Sequence, residues 1–421
     1  MGNGYAQAPM DSPHSTTRDI RRRNRSVLLS TLFKDGPLSR LELSQVTKLS
    51  TATVSTVTAD LLADGLVVEA GQVESAGGRP RVLLRLNPEY GYLIGVDVGE
   101  TGVTVELFDA ALTRLRAIER PLDSVRPEPK AVVKEVASAI ADILAGPPPE
   151  ETGPADELGT IDPARVIGIG IGVPGIVEEA GTALVHAPTI GWHSVALAEL
   201  LRDAGVAPPV LLGNGARTLA QAEMWFGAAK GVRHAVVALV GSGVGAAVVS
   251  EGTPYRGMSG SAGEWGHTTL VYGGRGCRCG ARGCVEAYVG AEGVLARLAE
   301  ITGEPADDDE VAGLTAMIAA AEQPGPEAEL ADAVADELGA AIGNLINVLN
   351  PERVVLGGWA GLALGAARLP RIRFGARRQA LDRPYQQVSI ELSHLGPDAV
   401  ALGAATLPLA ALLARGGEAR R

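Results

Sequence analysis

All three cysteines of this chain and one of its histidines fall within one short stretch of sequence. Cys277, Cys279 and Cys284 are interspersed with glycines, and His267 lies a few residues before them. Thiolate sulfur and imidazole nitrogen are ligands of tetrahedral zinc, and a Cys-x-Cys-x4-Cys array can fold around one ion with a histidine as the fourth ligand. Because four protein ligands leave no open position, the spacing predicts a structural zinc site and not a hydrolytic one.

Other interpretations of the cysteines remain open. They could be three unrelated thiols, although all of them lie in one glycine-rich loop. A disulfide is disfavoured because the cysteine count is odd and nothing in the sequence marks secretion. The cluster could also act as a zinc or redox switch, although closed four-ligand chemistry disfavours that role.

Three glycine turns each follow a run of apolar residues typical of a buried strand. They contain Asp97 and Gly99, Gly241 and Gly243, and Gly357 and Gly358. Backbone N–H groups in such turns can cradle phosphate, although each turn alone is explained as a tight chain reversal. Together they outline a nucleotide cleft. The strand–turn–strand pattern of 92–108 returns at 234–252, which predicts two similar α/β lobes.

Length and composition favour a globular protein of several domains. The chain has 421 residues, of which 46% are hydrophobic and 20% charged. It contains neither an apolar run long enough to span a membrane nor a signal-peptide core, so we expect a cytoplasmic protein. The net charge of −12 is unevenly distributed, since residues 1–86 carry 11 basic and 8 acidic side chains. A basic N-terminal unit on an acidic body fits a DNA-binding head, although a basic stretch is often only a solvated face.

The N-terminal pattern predicts three short helices after a disordered tail over residues 1–17. Ser39 and Glu42 form a capping box for the second helix, and Ser50 caps the third. The second helix is predicted to bury Leu41, Leu43 and Val46. The third helix has a short hydroxylated face that a major groove would accommodate, formed by Thr51, Thr53, Ser55 and Thr56.

Two alternating segments after these helices predict a β-hairpin wing. Its tip carries Arg79 in a Gly-Gly-Arg-Pro setting that suits a minor groove, and Arg22 is one of five arginines of the first helix that could meet phosphates. We therefore predict a winged helix-turn-helix over residues 18–87. The alternative is an ordinary three-helix bundle with a threonine-rich surface.

Several motifs, taken in order, resemble the ROK family of repressors, open reading frames and sugar kinases. The most diagnostic are Glu-Trp-Gly-His over residues 264–267 and the cysteine array ending in Glu286. The others are the Gly-Gly-Arg-Pro wing, the turn at 97–101, Gly-Val-Pro-Gly at 172–175, and Asn214 before a helix. The resemblance covers roughly residues 18–410 and includes the family's transcription-regulator branch.

The resemblance implies an α/β fold in which the winged head precedes a two-lobed actin-like (ribonuclease-H-like) ROK domain over residues 88–421. It implies sugar contacts from Asn214, Glu264, His267 and Glu286. It also implies zinc ligation by His267, Cys277, Cys279 and Cys284. One ring nitrogen of His267 could hold the metal while the other donates to a sugar hydroxyl. For Glu264 and Glu286 a surface or helix-terminal position is an equally open interpretation.

The chain departs from the kinases of that family at one decisive position. There the asparagine is followed by an aspartate that acts as general base, whereas here Asn214 is followed by Gly215. A general base typically contributes about 10²–10⁴-fold to the rate, so kinase turnover is not expected and the turns at Asp97, Gly99, Gly241 and Gly243 would be vestigial. The sequence predicts a sugar-responsive repressor, a homodimer or homotetramer on operator DNA whose effector is a sugar or sugar phosphate. The alternative is an ATP-dependent sugar kinase with a DNA-binding head.

Overall fold

A computed structural model of the protein describes residues 16–75, 78–122, 126–146, 158–178 and 183–418, and the side chains of 74–79 also lie outside this description. The predicted disordered tail therefore lies outside the described residues up to position 15. The chain divides into two compact units. The first comprises Met1–Tyr90 together with Leu409–Arg421, and the second comprises Gly91–Pro408.

The first unit contains three helices and a long hairpin in the predicted order. Its elements are α1 (Thr17–Asp35), β1 (Leu38–Ser39), α2 (Arg40–Thr47), α3 (Thr51–Ala63), β2 (Val67–Ser75) and β3 (Gly78–Leu86). The predicted capping box of α2 is present, because Glu42 N–H donates to Ser39 Oγ and Ser39 N–H donates to the Glu42 carboxylate. Strand β3 pairs with both β1 and β2, and β2 and β3 extend farther toward the tip than the predicted strands did.

The prediction for the apolar face of α2 is only partly right. Leu43 is fully buried, whereas Leu41 is 46% exposed and Val46 is 56% exposed. Positions 41 and 43 are about 200° apart on a helical wheel, so one face cannot bury both. Val46 lies one residue before the end of this two-turn helix.

The described residues from Leu409 to Glu418 belong to the first unit, which differs from the predicted domain division at 87/88. The Arg25 side chain of α1 is 9% exposed, and its Nε donates to Gly416 O at 2.7 Å. Its Nη2 bonds the Asp64 carboxylate at 2.7 Å. Gly416 thus packs under α1, although 391 positions separate it from Arg25 along the chain.

The first lobe of the second unit is a five-stranded sheet with helices beside it. Its elements are β4 (Tyr92–Val98), β5 (Gly102–Asp109), β6 (Arg114–Pro121), α4 (Pro129–Ala145), β7 (Val166–Val173), β8 (Ile176–Glu178), β9 (Leu184–Ala187), β10 (Trp192–Val195), α5 (Leu197–Asp203), β11 (Val210–Asn214) and α6 (Gly215–Trp225). The sheet order is β11-β7-β4-β5-β6, and β8, β9 and β10 form a small separate sheet.

The second lobe repeats this plan. Its elements are β12 (Ala235–Val240), β13 (Val244–Ser250), β14 (Thr253–Pro254), α7 (Glu286–Val289), α8 (Ala291–Thr302), α9 (Glu310–Ala320), α10 (Pro326–Leu349), β15 (Arg353–Gly357), α11 (Trp359–Gln379), α12 (Asp382–Gln387), β16 (Ser389–Leu392) and α13 (Ala399–Ala414). Its sheet order is β14-β13-β12-β15-β16. The order of the first sheet, read from β6 to β11, matches it strand for strand, with antiparallel strands followed by two parallel strands. The predicted pair of similar lobes is therefore present.

Alternating glycines in the first sheet let a helix backbone approach it closely. A β-carbon at Gly95 of β4 or Gly170 of β7 would collide with the carbonyl oxygens of Ala401 and Ala404 in α13. Because α13 lies directly on the middle of this sheet, the Gly-rich run of β7 is a packing requirement of this strand.

The segment at 305–326 contributes to the core of the second lobe, although it contains several acidic residues. Its helix α9 places Leu314 and Met317 in the core of the second lobe, where both are almost fully buried. Alanine and glycine make up much of α9, so its buried face is weakly marked in the sequence.

Glycine at position 416 should be indispensable for the packing of the first unit. Gly416 has a φ of +68°, and an added β-carbon would lie 2.9 Å from Arg22 O and 2.8 Å from Arg25 Cβ. We expect Gly416→Ala to destabilise the protein by about 2–4 kcal/mol, since overpacking adds to the strain of a positive φ. Urea unfolding and hydrogen exchange of the α1 amides measure this.

Gly65→Ala is the matched control. Gly65 has a φ of +72°, but no atom lies within 4 Å of an added β-carbon. It should lose only about 1 kcal/mol, from strain alone. Equal losses in the two variants would show that the C-terminal residues do not pack against α1.

Candidate ligand-binding and metal site

The four residues of the predicted metal site do converge. One ligand atom from each of His267, Cys277, Cys279 and Cys284 can be chosen so that all four lie within 4.8 Å of one another. Cys279 Sγ is 3.8 Å from Cys284 Sγ, and Cys277 Sγ is 3.7 Å from His267 Nδ1. The cluster could therefore hold a metal ion through three sulfurs and one nitrogen.

Backbone pairing fixes the loop that carries these ligands. Thr269 pairs with Cys284 and Gly276 pairs with Arg282 as antiparallel bridges, and Cys277 N–H donates to Ala281 O at 2.9 Å. Burial raises the pKa of the Cys277 and Cys284 thiols. Because burial disfavours a bare thiolate, a positive ion among the sulfurs would be needed to hold them in the ligating form.

His267 ends a short 3₁₀ helix, Trp265–His267, which starts just after Glu264. Ala246 N–H of β13 donates to Gly263 O at 3.0 Å, so this segment lies against the second sheet. The Nδ1 of His267 faces Cys277, which leaves Nε2 as the other hydrogen-bonding atom of the ring. The geometry is thus compatible with metal ligation at one nitrogen and a ligand contact at the other.

Glu286 is buried beside the group formed by His267 and the three cysteines. Its side chain is 7% exposed, and its Oε2 accepts the Val244 N–H at 3.0 Å. Its Oε1 is 3.6 Å from Cys277 Sγ. Glu286 is the first residue of α7, so its helix-terminal position is as that interpretation had it, but a surface position is wrong because the side chain is buried. This carboxylate joins the turn at 241–245 to the loop that carries the three cysteines, the metal loop.

Glu264 lies near the same group of residues. Burial raises its pKa, the charges of His267 and Arg217 lower it, and the charge of Glu286 raises it. Glu264 therefore interacts with the charges of His267, Glu286 and Arg217. Arg217, on α6, is an additional member that the sequence reasoning missed, although it stands only three positions after Asn214.

Asn214 has a structural role in addition to any ligand contact. Its Oδ1 accepts the Arg217 N–H at 3.1 Å and so caps α6, while its Nδ2 donates to Gly175 O at 2.7 Å. An amide side chain has two N–H groups and two lone pairs on oxygen, so one donor and one acceptor position remain for a ligand.

The sequence reasoning also missed an arginine between two of the cysteines. Arg278 contacts the Glu100 carboxylate with both terminal nitrogens, and it forms further ion pairs with Glu286 and Glu292. Its position between Cys277 and Cys279 is the one sequence signal that could have identified it. Its partner Glu100 belongs to the turn that follows β4 in the other lobe.

The glycine turns lie where the sequence placed them, at the ends of β4, β12 and β15. Asp97 lies near the end of β4 and is half-buried. Burial, followed by the charges of Asp398 and Glu106, raises its pKa to about 7.

The predicted DNA-binding residues lie in the first unit. Thr51, Ser55 and Thr56 are exposed on α3, Thr53 is half-buried, and Arg22 is exposed on α1. Arg79 is in β3, with its side chain outside the description.

Comparison with known proteins identifies the family. The ROK family matches residues 93–411. This chain belongs to the ROK family. It is 30% identical over 406 residues to a putative xylose repressor of Caldicellulosiruptor sp. (strain Rt8B.4), a match that covers 94% of this chain and 97% of that protein.

Relatives of the chain include both enzymes and regulators. It is 32% identical over 322 residues to a glucokinase of Halalkalibacterium halodurans, which covers 74% of this chain and 93% of that protein. The solved structure of a ROK family transcriptional regulator, a homolog of the E. coli MLC protein, matches with a TM-score of 0.75 at 26% identity and covers 94% of this chain and 98% of that one. The predicted actin-like ROK fold is therefore confirmed. Among the described residues, no helix is both long and apolar enough to cross a membrane.

The raised pKa of Asp97 predicts a pH-dependent stability. The unfolded carboxyl ionises near 3.8 and the folded one near 7, so the folded state holds the extra proton between these values and loses stability as the pH rises. Asp97→Asn should match the wild type near pH 4 and be more stable above pH 7, on the order of a few kcal/mol. Urea midpoints at pH 4, 5.5 and 8 measure the difference. The exposed Asp308→Asn is the control, and a gain independent of pH would contradict the assignment.

Proposed function

We propose that this protein is a sugar-responsive, DNA-binding transcriptional regulator that represses genes of carbohydrate metabolism. The observation that carries the proposal is the extent of similarity. The match to the putative xylose repressor covers 94% of the chain, whereas the match to the glucokinase covers 74%. A regulator needs a DNA-binding unit in addition to a ligand-binding body, and the longer match extends over both units of this chain.

We assign DNA binding to the first unit, as a winged helix-turn-helix. Helices α2 and α3 are joined by a short turn, and β2 and β3 form a hairpin that would serve as the wing. The exposed Thr51, Ser55 and Thr56 would face the major groove, together with Thr53. Arg79 near the hairpin tip would enter the minor groove, and Arg22 would meet a phosphate. A homodimer or homotetramer would place two such heads on a palindromic operator.

We assign the sugar site to Asn214, Glu264, His267 and Glu286. Carboxylates accept hydrogen bonds from sugar hydroxyls, while Asn214 and the free ring nitrogen of His267 can add a donor each. A difference in sugar affinity between DNA-binding and non-binding states worth about 1–3 kcal/mol would change operator affinity by about 5–150-fold.

The absence of a side chain at Gly215 supports regulation over catalysis. This residue starts α6 directly after Asn214, and no carboxylate is present there to take a proton from a sugar hydroxyl. Packing does not require the glycine, since an added β-carbon would lie 3.6 Å or more from every neighbour. The similarity to a glucokinase keeps a sugar kinase as the second candidate. ATP-dependent phosphorylation of a sugar by the purified protein would favour that candidate.

We further propose that the metal is zinc. In a tetrahedral site with Zn–S bonds of about 2.3 Å, the sulfur–sulfur separation is about 3.8 Å. The 3.8 Å between Cys279 Sγ and Cys284 Sγ supports this geometry, as does the 3.7 Å between Cys277 Sγ and His267 Nδ1. When bound, the ion would order the loop and fix the tautomer of His267, so that Nε2 carries the proton and can donate to a ligand.

One assay separates DNA binding from the response to sugar. Operator DNA obtained by in vitro selection is titrated by fluorescence anisotropy, with and without sugars. Glu264→Ala should keep wild-type DNA affinity but lose the sugar-dependent release. Arg79→Ala should weaken DNA binding about tenfold while sugar binding, followed by thermal shift, is unchanged.

Arg85→Ala is the matched control for Arg79, because Arg85 is an exposed arginine on the same strand. It should bind DNA as the wild type does. A normal sugar response in Glu264→Ala would place the sugar elsewhere, and equal DNA affinity in Arg79→Ala would remove the hairpin from the DNA interface. Failure of the wild type to select any DNA sequence would refute the regulatory function.

Substitution of one cysteine should remove the zinc. Cys279→Ala is expected to abolish zinc content, measured by mass spectrometry of the purified protein. It should also lower the melting temperature by at least about 5 °C, since a loss of even ~2 kcal/mol moves the transition of a large domain by several degrees. Arg282→Ala, an exposed change in the same loop, should alter neither quantity. Unchanged zinc content in Cys279→Ala would refute the four-ligand site.

A further inference from the structure

Carboxylates of the same chain bind most of the N–H donors of the Arg278 guanidinium. The side chain is 14% exposed. Its Nη1 and Nη2 both bond Glu100, the second at 3.2 Å. Its Nη2 lies 3.5 Å from Glu286 Oε1, and its Nε lies 2.9 Å from Glu292 Oε2. A guanidinium has five N–H donors, and these contacts engage most of them.

These carboxylates come from both lobes. Glu100 belongs to the turn between β4 and β5 in the first lobe, and only 9% of its side chain is exposed. Glu286 and Glu292 belong to α7 and α8 of the second lobe. Burial raises the pKa of Glu100, Arg278 lowers it, and the charges of Glu286 and Glu292 raise it again. The two lobes therefore meet through negative charges that a single arginine partly neutralises.

This acidic cluster faces the glycine turn of the second lobe, where a phosphate would be cradled. A β-carbon built on Gly243 would lie 3.1 Å from Glu100 Oε1, 3.1 Å from Glu286 Oε2 and 3.3 Å from Arg278 Nη2. The backbone N–H of Val244, in the same turn, is already bonded by Glu286. Side chains of the protein thus occupy the position and one of the donors that a phosphate would need.

A second acidic group nearby requires a hydrogen-bond donor. Glu310 is 9% exposed, and its Oε2 is buried without a hydrogen-bond partner in the described part of the chain. Burial raises the pKa of Glu310, a hydrogen bond from Ser242 lowers it, and the charges of Glu100 and Glu292 raise it. Ser242 lies in the same glycine turn, so this unsatisfied acceptor belongs to the same cleft. Buried acceptors are normally bonded, and a hydroxyl group can supply the missing donor.

The charges and the hydrogen-bonding groups of this cleft therefore both favour a ligand with hydroxyl groups over a phosphate. Hydroxyl groups donate to carboxylates, whereas an ionised phosphate offers only acceptors and adds like charge. Arg217 is a second guanidinium in this region, and it interacts with the charge of Glu264. A divalent ion on Cys277, Cys279 and Cys284 would be outweighed by three thiolates. The guanidinium groups of Arg217 and Arg278 are fewer than the carboxylates described above, which are those of Glu100, Glu264, Glu286, Glu292 and Glu310.

We propose that Glu100 and Arg278 are specificity-determining residues that close the phosphate cradle, so that the cleft accepts an uncharged sugar and excludes sugar phosphates and nucleotides. The pair places a carboxylate at the turn of the first lobe and holds a second, Glu286, at the turn of the second lobe. The proposal rests on the proposed function in one respect only, namely that a sugar is the ligand. The exclusion of phosphate can be measured independently of it.

Calorimetric titration of the full-length protein tests the proposal with matched ligands. Glucose is compared with glucose 6-phosphate, N-acetylglucosamine with its 6-phosphate, and xylose is titrated alone. The non-hydrolysable nucleotide AMPPNP is titrated in the same buffer with magnesium. For the wild type, each 6-phosphate should bind at least 100-fold more weakly than its parent sugar if that sugar binds, and AMPPNP should show no binding below millimolar concentration.

Conservative variants test whether the charge of Glu100 causes the exclusion of phosphate. Glu100→Gln keeps the shape of the side chain, removes the charge and frees Arg278 donors, so the affinity for AMPPNP or a hexose 6-phosphate should rise at least about tenfold. The affinity for the parent sugar should change by less than about threefold. Glu100→Asp retains the charge and should exclude phosphate as the wild type does. Glu300→Gln is the matched control, since Glu300 pairs with Arg275 of the same loop and is 61% exposed.

Each outcome decides the proposal. Wild-type binding of AMPPNP or a sugar phosphate as tightly as a neutral sugar would overturn it. It would also be overturned if Glu100→Gln, with a wild-type melting curve, gained no phosphate affinity over Glu300→Gln. If no sugar binds to the protein and none causes it to release operator DNA, the proposed function fails. The nucleotide titrations of the wild type and the Glu100 variants still decide whether Glu100 and Arg278 exclude phosphate.

Discussion

Burial of the Glu286 carboxylate is the constraint on which the candidate site depends. A buried carboxylate must be met by donors or by positive charge. Here Oε2 accepts a backbone N–H from Val244, and Oε1 faces both Arg278 and Cys277. One side chain therefore ties the glycine turn of the second lobe to the metal loop and, through Arg278, to Glu100 of the first lobe.

The repeated sheet explains why these groups can meet. Each lobe has a central hairpin followed by two parallel strands, and each hairpin turn lies at a strand end from which it can face the cleft. The two turns have the same length, although Gly99 N–H donates to Gly102 O in the first and Gly241 N–H donates to Gly243 O in the second. Their side chains differ as well, since one turn carries Glu100 and the other carries Ser242. The proposed preference for hydroxyl groups over phosphate would then depend on side chains placed on a shared strand plan.

The sequence predicted those features whose signals are local. The capping box of Ser39 and Glu42, the glycine turns and the clustered cysteines each depend on residues close together in the chain, so spacing alone identifies them. It did not predict the contact between Glu100 and Arg278, which are 178 positions apart. Nor did it predict the burial of α9, whose small residues mark no apolar face. Leu41 was misplaced because an apolar residue on a two-turn helix does not reveal which side faces the core.

The packing of Gly416 against α1 has a consequence for the order of events during synthesis. Protein chains emerge from the ribosome N-terminus first, and N-terminal domains generally fold first. The Arg25 side chain of this protein finds its carbonyl partner only when residue 416 has emerged. The N-terminal helices therefore cannot complete their packing until the whole second unit has been translated. A nascent chain that stops short of residue 416 would carry an incomplete first unit, so completion of this unit depends on translation of the second.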